Sequence, residues 1–367
     1  MPLFMDRHDV SPTVTAEYVA QLHHEDLKIQ HLFNCRGLTY WFDEKRKTAF
    51  CLVEAPNAEA IRDMHAKAHG QVPNQIIEVE AVIVESFLGR IEDPERSSDA
   101  ELNIINDSAF RTIMMIKVRR ESLMDDRSQN IGSLSDTLSE DISRIMKASE
   151  AGIVKQTADE FLISFKSVTR AINSAIEVYA LFKSLRENLN NNAFSLRIGL
   201  SASAPFTNKE SMFEDAIKLA ERLCEVERDK IVISTEVKEL YNSDNAISVD
   251  RKEDVIFSFD PTDEKFFTQL MDYIEMSYSN ADLTIQDFTS SLGLSKSKLY
   301  RKIVSLTGKS LNAFLKDYRL NKAINLLHKN LYSISEIAYE TGFTSPSYFS
   351  KCFRKRYGRM PSTLRHA

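Results

Sequence analysis

The spacing of apolar and polar residues divides the chain into three stretches. Residues 1–88 and 109–258 each alternate short strand-like and helix-like patterns, whereas residues 265–367 show only helical spacing. Residues 89–108 lack a period and are rich in residues that break helices and strands, so we predict a linker there. A second break lies at Asp260-Pro261. The pattern therefore predicts an α+β protein of three domains.

The first two stretches are each predicted to form a layered α/β domain. In the first, strands are expected at 3–7, 38–42, 49–54 and 76–85, with helices at 15–33 and 58–68. This strand-helix-strand-strand-helix-strand order is that of the ferredoxin-like plait. In the second, strands are expected at 113–118, 153–155, 161–165, 195–200 and 230–233, with helices at 168–189 and 212–226.

A helix-turn-helix pattern occurs twice in the third stretch, which is predicted to be all-α. Each copy starts with a predicted capping box, in which a hydroxyl and an acid satisfy backbone amides at a helix start. The two pairs are Thr284 with Asp287 and Ser333 with Glu336. A glycine that can adopt a left-handed turn follows each first helix, at Gly293 and Gly342.

The second helix of each pair is predicted to present a polar face to solvent. Ser295 and Ser345 fit its N-cap, and Pro346 fits a first helical position. Apolar residues such as Leu299 and Phe349 mark the buried side. The outward residues donate hydrogen bonds or carry positive charge, as base and phosphate contacts require. These candidate DNA-binding residues are Ser297, Lys298, Tyr300, Arg301, Ser347, Tyr348, Ser350 and Lys351.

The charge of the third stretch distinguishes between two interpretations, a DNA-binding domain and an ordinary helical bundle. From Lys265 onward the chain carries 16 Lys and Arg against 7 Asp and Glu, a balance of +9. The whole chain is at −6, so residues 1–264 carry −15. A basic module on an acidic protein is typical of nucleic-acid binding.

Residues 265–367 resemble the DNA-binding domain of AraC-type transcription regulators. The resemblance covers both motifs, the connecting helix at about 310–329 and the ending Gly358-Arg359-Met360-Pro361-Ser362. It implies two recognition helices that enter successive major grooves of double-stranded DNA. Arg301 and Lys351 occupy matched positions and are expected to contact either guanine or phosphate.

Composition is that of an ordinary soluble protein, with a hydrophobic fraction of 43% and a charged fraction of 27%. The first twenty residues lack the apolar core of a signal peptide, and no apolar run approaches the length of a membrane span. The scattered cysteines suit the reduced thiols of a cytosol: Cys35, Cys51, Cys224 and Cys352. A cytoplasmic location is expected.

Six of the eight histidines lie in the first stretch. His65 and His69 are four residues apart on a predicted helix and so project from one face, which is a geometry that can chelate a divalent metal. His8, His23 and Cys51 are candidates to complete the site. The alternative is that these histidines cap helices and decorate solvated faces.

This stretch resembles a small ferredoxin-like family of nickel-binding proteins. The matching segments span nearly all of residues 1–85 and are Met1-Pro2-Leu3-Phe4-Met5-Asp6-x-His8, Tyr40-Trp41-Phe42, Phe50-Cys51-Leu52-Val53-Glu54-Ala55 and His65-x-x-x-His69-Gly70. The resemblance implies a sensor domain that binds a divalent transition metal. Imidazole and thiolate ligands suit nickel, zinc or copper, and the sequence does not choose among them.

Residues 109–242 resemble the class III nucleotide cyclase domain, through segments such as Phe110-Arg111-Thr112-Ile113, Lys155 to Glu160 and Arg197 to Ala202. Catalysis in that family uses two metal ions held by two aspartates. Asp159 matches the second aspartate, but Lys117 stands at the first position, where a cation cannot hold Mg²⁺. Arg222 matches the family's transition-state arginine, and Lys218 replaces its asparagine. We therefore expect no cyclase activity.

Two interpretations of this degenerate domain are open. It is either a module for homodimerisation and spacing, since such domains pair head-to-tail, or a nucleotide-binding domain in which cations replace metal ions as phosphate partners. The nucleotide candidates are Lys117, Arg119, Lys155, Asp159, Lys218 and Arg222. The sequence thus favours a DNA-binding regulator that senses a metal or small ligand. A residual cyclase fused to a DNA-binding domain and a constitutive DNA-binding scaffold are the alternatives.

Overall fold

A computed structural model describes residues 1–94, 102–120, 130–188, 194–206, 211–226, 230–252 and 254–364. The N-terminal domain is built from β1 (Leu3–Asp9), α1 (Ala16–Ile29), β2 (Arg36–Asp43), β3 (Thr48–Glu54), α2 (Ala58–Ala68) and β4 (Gln75–Val79). Its four strands form an antiparallel sheet in the order β2-β3-β1-β4. This is the predicted ferredoxin-like plait.

The two faces of this small sheet bury different partners. One face, with Phe4 and Tyr40, packs against α1 and α2. The opposite face, with Met5, Trp41 and Leu52, packs against residues of the middle domain. Because side chains alternate across a strand, neighbouring residues of β1 contact different parts of the protein.

The predicted strand at 76–85 is wrong beyond residue 79. The chain instead forms α3 (Ala81–Leu88), which ends at Gly89 in the left-handed conformation with φ of 83°. Val84, Phe87 and Leu88 are buried whereas Val82 is 74% exposed, which is helical and not strand spacing. The helix packs against the middle domain, where the backbone oxygen of Phe87 accepts a hydrogen bond from Ser164 Oγ at 2.8 Å.

The middle domain contains a second, larger sheet. Its elements are β5 (Arg111–Arg120), α4 (Asn130–Ala148), β6 (Gly152–Gln156), β7 (Glu160–Phe165), α5 (Val168–Asn188), β8 (Phe194–Ser203), α6 (Glu214–Leu223), β9 (Ile231–Ile233), α7 (Thr235–Asp244) and β10 (Ile256–Ser258). The strand order is β10-β9-β8-β5-β7-β6. The predicted strands, hairpin and two helices are present, and α4, α7 and β10 are additional.

Both faces of the central strand β5 are covered within the chain. Met114 and Ile116 point into a core shared with α4, α5 and α7. Ile113 and Met115 point into the core that contains the N-terminal sheet, α3 and α6. Close packing of α6 depends on Gly199, because a Cβ at that position would lie 2.2 Å from the backbone oxygen of Ala220.

The C-terminal domain is all-helical, as predicted. It consists of α8 (Pro261–Ser277), α9 (Ile285–Leu292), α10 (Lys296–Thr307), α11 (Leu311–Lys329), α12 (Ile334–Glu340) and α13 (Pro346–Tyr357). Both predicted capping boxes form, and the corner glycines adopt positive φ, at 62° for Gly293 and 76° for Gly342. The predicted start of the domain at residue 265 lies inside α8.

The C-terminal domain shares a core with the middle domain. Leu223 and Val232 of the middle domain lie in one apolar cluster with α8, α9, α10 and α11. A second cluster, around Phe349 and Phe353, holds α12 and α13 against α11. Within the described residues, no helix is both long and apolar enough to cross a membrane.

Candidate metal centre and nucleic-acid interface

A cluster of histidines and carboxylates lies between the small sheet and its two helices. The cluster consists of two groups whose ligand atoms lie within 4.8 Å of one another, Asp6 with His8 and Cys51, and Asp26 with His65 and His69. Strand β1 places Asp6 and His8 on the helix-facing side, and β3 places Cys51 directly opposite Asp6.

His65 joins the two groups. Its Nε2 lies 3.0 Å from Asp6 Oδ2, and its Nδ1 lies 3.1 Å from Asp26 Oδ2. On the two sides, His8 Nε2 is 3.2 Å from Asp6 Oδ1 and His69 Nε2 is 3.2 Å from Asp26 Oδ1. The result is a buried chain of alternating imidazole and carboxylate groups, which is the donor chemistry of a transition-metal site.

Without a metal, the charges in this chain stabilise one another. Burial lowers the pKa of His65, but the carboxylates of Asp6 and Asp26 outweigh it and raise that pKa to about 10. Burial raises the pKa of Asp6, but His8 and His65 bring it well below its ordinary value. Burial and the nearby carboxylates raise the pKa of the Cys51 thiol.

The structure brings together four of the five predicted metal ligands. His8, Cys51, His65 and His69 lie in the cluster, whereas His23 faces Asp93, with Nε2 3.5 Å from its Oδ2. Two acids of the cluster, Asp6 and Asp26, were not among the predicted ligands. A signal existed for both: Asp6 precedes His8 by two residues on a strand, and Asp26 follows His23 by three on a helix.

The predicted nucleotide-binding cations are not gathered around one open site. Lys117 Nζ and Lys155 Nζ lie 3.2 and 2.8 Å from the two carboxylate oxygens of Glu160. Lys218 and Arg222 instead contact acids of α8. The remaining candidates also differ in setting, since Arg119 pairs with Glu225 and Asp159 is exposed beside Thr157.

Polar contacts join the middle and C-terminal domains, and two sets of them are centred on Arg222 and Glu225. The first is the pairing of Arg222 with Glu275 and Asp272 of α8. The second starts at Glu225, which accepts a hydrogen bond from Asn321 Nδ2 at 3.2 Å, and continues to Tyr357, whose hydroxyl lies 3.1 Å from Asn321 Oδ1. A recognition helix, α13, is therefore hydrogen-bonded through α11 to the middle domain.

The predicted recognition faces are open to solvent. The buried sides of α10 and α13 carry residues such as Leu299 and Phe349, with 1% and 0% exposure. All eight predicted DNA-binding residues lie on the other sides, and each is exposed except Ser350, which is half-buried. Arg354 and Lys355, one turn beyond Lys351, line the same groove on α13 and were missed. These faces offer cations and hydroxyls to a phosphate backbone and to base edges.

Two known families match the ends of the chain. Residues 288–367 match the model described as "Helix-turn-helix domain". Residues 4–79 match the model described as "Nickel responsive protein SCO4226-like". The C-terminal segment is thus an AraC-type helix-turn-helix domain, and the N-terminal segment is an SCO4226-like domain.

Similar proteins include known and uncharacterised regulators. A histidine kinase of Formosa agariphila is 37% identical over 100 residues, which are 27% of this chain and 7% of that protein. A regulator in the cgkA 5′ region of Pseudoalteromonas carrageenovora is 35% identical over 93 residues, or 25% of this chain and 54% of the relative. The regulator ExsA of Pseudomonas aeruginosa is 33% identical over 25% of this chain and 33% of its own. The match therefore spans at most about half of each of these relatives.

Solved structures similar to parts of the chain fall into the same two groups. SCO4226 of Streptomyces coelicolor is 34% identical over 21% of this chain and 94% of that one, with a TM-score of 0.20. The C-terminal domain of AraT of Geobacillus stearothermophilus is 31% identical over 29% of this chain and 85% of that one, with a TM-score of 0.27.

Proposed function

We propose that this chain is a transcription regulator that binds double-stranded DNA through its C-terminal domain and responds to a metal ion through its N-terminal domain. The observation that carries the DNA-binding function is the pair of capped helix-turn-helix units, whose second helices expose hydroxyls and cations while their apolar sides are buried. Phosphate contacts would supply most of the affinity, and base contacts the sequence preference.

The residues of the N-terminal cluster fit a divalent transition metal. Asp26, His65 and His69 would hold it, with Asp6 oriented against His65 behind them. Asp26 faces both imidazoles, and the ligand atoms of the three residues lie within 4.8 Å of one another, which is close enough for one ion to contact all three. The bound ion would supply a fixed positive charge between the sheet and its helices. Nickel is favoured by the similarity of this domain to a nickel-responsive protein.

Strand β1 gives the metal centre a contact route to the DNA-binding domain. Asp6 and His8 face the cluster, whereas Arg7 points the other way and donates a hydrogen bond to the backbone oxygen of Phe206 at 3.2 Å. The ring of Phe206 packs on Phe50 of the small sheet. Phe206 lies in one apolar cluster with Ala216 and Ala220 of α6, and Arg222 of the same helix pairs with Glu275 of α8. A metal that moves β1 relative to α1 and α2 would act on this route.

The middle domain is proposed to have no cyclase activity. Lys117, which stands where the cyclase resemblance expects an acid, forms an ion pair with Glu160. Its ammonium group therefore supplies internally the positive charge that a metal would bring. Conversion of ATP or GTP to a cyclic nucleotide by the purified protein would contradict this. We also propose that two copies of the chain form a homodimer through this domain, and analytical ultracentrifugation would measure the oligomeric state.

The central test is DNA selection on the full chain, first after treatment with a chelator and then with added Ni²⁺. We expect one enriched sequence family and an affinity for it that differs between the two conditions, because a sensed ligand must bind one arrangement of the protein better than the other. Zn²⁺ and Cu²⁺ serve as parallel arms. An affinity for DNA that is unchanged by all three metals would remove the metal-sensing half of the proposal and leave the DNA-binding half intact.

A further inference from the structure

The metal cluster lies at the floor of a cavity that is much larger than an ion requires. The cavity has a volume of about 570 Å³ and lies between the start of α1, the loop before it and the segment that follows α2. Small-molecule sites typically have volumes of roughly 300–1,000 Å³. One water molecule takes about 30 Å³ in the liquid, so a metal with its bound waters would fill only a fraction of the space.

The walls of the cavity are largely apolar. Val14, Val19 and Leu22 line its sides, and Tyr18 and Val72 stand at its entrance with 44% and 47% exposure. Hydroxyl and amide groups are interspersed, from Ser11, Thr13, Thr15 and Asn74. Water against apolar walls is readily displaced by an apolar group, because this removes apolar surface from solvent. The walls therefore favour an organic molecule with an apolar body.

The residues at the floor of the cavity favour binding of a positively charged group. Asp26, His65 and His69 all line the cavity, whereas Asp6 lies behind them. The ligand atoms of Asp26, His65 and His69 lie within 4.8 Å of one another at this floor. A metal held there by three protein donors has further coordination positions to fill, and the cavity is the space from which they can be filled.

We propose that this cavity binds an organic chelator whose apolar body lies along Val14, Val19 and Leu22 and whose oxygen donors complete the coordination of the metal on Asp26, His65 and His69. The inference rests on the proposed metal centre and extends it, since the recognised ligand is then a metal together with its chelator. A bare amine is the competing occupant, because its ammonium group could contact Asp26 directly. The imidazoles favour the metal, since their ring nitrogens are metal ligands.

The test uses the full chain and isothermal titration with defined probes. NiCl2 is titrated alone, and the Ni²⁺-loaded protein is then titrated with acetohydroxamate, which has a chelating head only, and with benzohydroxamate, which adds an apolar ring. We expect benzohydroxamate to bind at least about tenfold more tightly than acetohydroxamate, because its ring is removed from water by the walls. Phenethylamine is titrated into the metal-free protein as the arm for a bare amine.

Substitutions in the cavity test chelator binding separately from metal binding. Leu22→Trp narrows the cavity and is expected to weaken benzohydroxamate binding about tenfold while leaving the Ni²⁺ affinity unchanged. Leu32→Trp is the matched control, since Leu32 is 63% exposed and does not line the cavity. Val72→Trp, at the exposed entrance, repeats the test without touching the core.

The outcomes distinguish failure of the chelator proposal from failure of the proposed metal centre. Ni²⁺ binding with equal affinity for the two hydroxamates, or with no effect of Leu22→Trp and Val72→Trp, would overturn the chelator and leave the metal centre standing. Absence of Ni²⁺ binding in every arm would overturn both. Phenethylamine that binds the metal-free protein more tightly than benzohydroxamate binds the loaded one would identify the occupant as an amine and reject the chelator.

Discussion

Arg222 and Glu275 form a two-point ion pair across the boundary between the middle and C-terminal domains. Arg222 Nε lies 2.8 Å from Glu275 Oε1, and its Nη2 lies 2.7 Å from Oε2. The arginine side chain is only 5% exposed, and the glutamate is 27% exposed. A guanidinium can match a carboxylate in this way because its donors have a fixed planar arrangement. The pair therefore sets the position of α8 on α6 as well as contributing to stability.

Arg222→Met is expected to lower the free energy of unfolding by about 1–3 kcal/mol, because it removes charged hydrogen bonds and leaves Glu275 without its main partner. Urea denaturation followed by circular dichroism measures the change. The matched control is Lys218→Met on the same helix, whose ammonium lies 3.3 Å from Glu275 with 39% of the side chain exposed. Its loss should cost less than about 1 kcal/mol. A denaturation midpoint of Arg222→Met equal to that of the wild type would refute the structural role of the pair.

A second domain contact predicts sensitivity to acid. Burial raises the pKa of Glu225, but the charges of Arg119 and Lys117 outweigh it and lower the pKa below its ordinary value. Because the folded pKa is depressed, the pairing contributes stability that is fully present above the unfolded value of about 4.3 and is lost as the pH falls through the folded value. We expect the free energy of unfolding to decrease below about pH 4.3.

Glu225→Gln isolates this contribution, because the amide retains an oxygen for Arg119 but does not titrate. The free energy of unfolding of this variant should depend less steeply on pH in the acid range than that of the wild type. Glu44→Gln, at an exposed position, is the control for the loss of one carboxylate. Equal slopes for the wild type and Glu225→Gln would show that folding does not lower the pKa of Glu225.

For nucleotide binding by the middle domain, we predict the absence of an effect. Glu160 pairs with both Lys117 and Lys155, and acids of α8 pair with Lys218 and Arg222. Because these cations already have partners, we expect millimolar ATP or GTP to leave the melting temperature unchanged. A rise in melting temperature that disappears in Lys155→Met would restore the nucleotide interpretation.

Features formed by residues close together in the sequence were predicted, whereas features that depend on contacts between separate helices or domains were not. The capping boxes at Thr284 and Ser333 were predicted correctly because every group that forms them lies within three residues. Helix α3 was mistaken for a strand because its apolar spacing makes sense only once Val84 and Phe87 lie against the middle domain. Asp26 was missed as a candidate ligand because its contacts with His65 and His69 join separate helices.

Arg222 also shows that contacts between domains could not be predicted from the sequence. The resemblance to cyclases suggested that this arginine contacts phosphate, but its partners belong to α8, about fifty residues further along the chain. A single sequence gives no sign that Glu275 is the partner, because the pairing depends on how two domains pack. Resemblance identified the residue as important and assigned it a different partner from the one in the structure.

DNA binding should depend on matched residues in the two recognition helices. Arg301→Ala and Lys351→Ala are each expected to weaken binding to the selected sequence by about 1–3 kcal/mol if the side chain reads a base, with preference relaxed at one position. If the contact is to phosphate, the loss is the same for all sequences and the salt dependence becomes shallower. Fluorescence anisotropy at several salt concentrations distinguishes the two cases.

Lys183→Ala on α5 is the control for these variants, since Lys183 is exposed and lies in the middle domain. It should change neither the affinity nor the salt slope. Arg301→Ala or Lys351→Ala with wild-type affinity at every salt concentration would show that the corresponding helix does not contact DNA through that residue.

The metal centre makes a prediction about which of the two clustered groups holds the ion. Asp26→Asn is expected to weaken Ni²⁺ binding at least about tenfold, because it removes the carboxylate that faces His65 and His69 at the cavity floor. Cys51→Ser, in the other group, should have a smaller effect, because its partner Asp6 lies behind the cavity. His31→Ala, at an exposed position, controls for the loss of one imidazole. If Cys51→Ser weakens Ni²⁺ binding more than Asp26→Asn does, the ion lies between β1 and β3, and Asp26, His65 and His69 are not its main ligands.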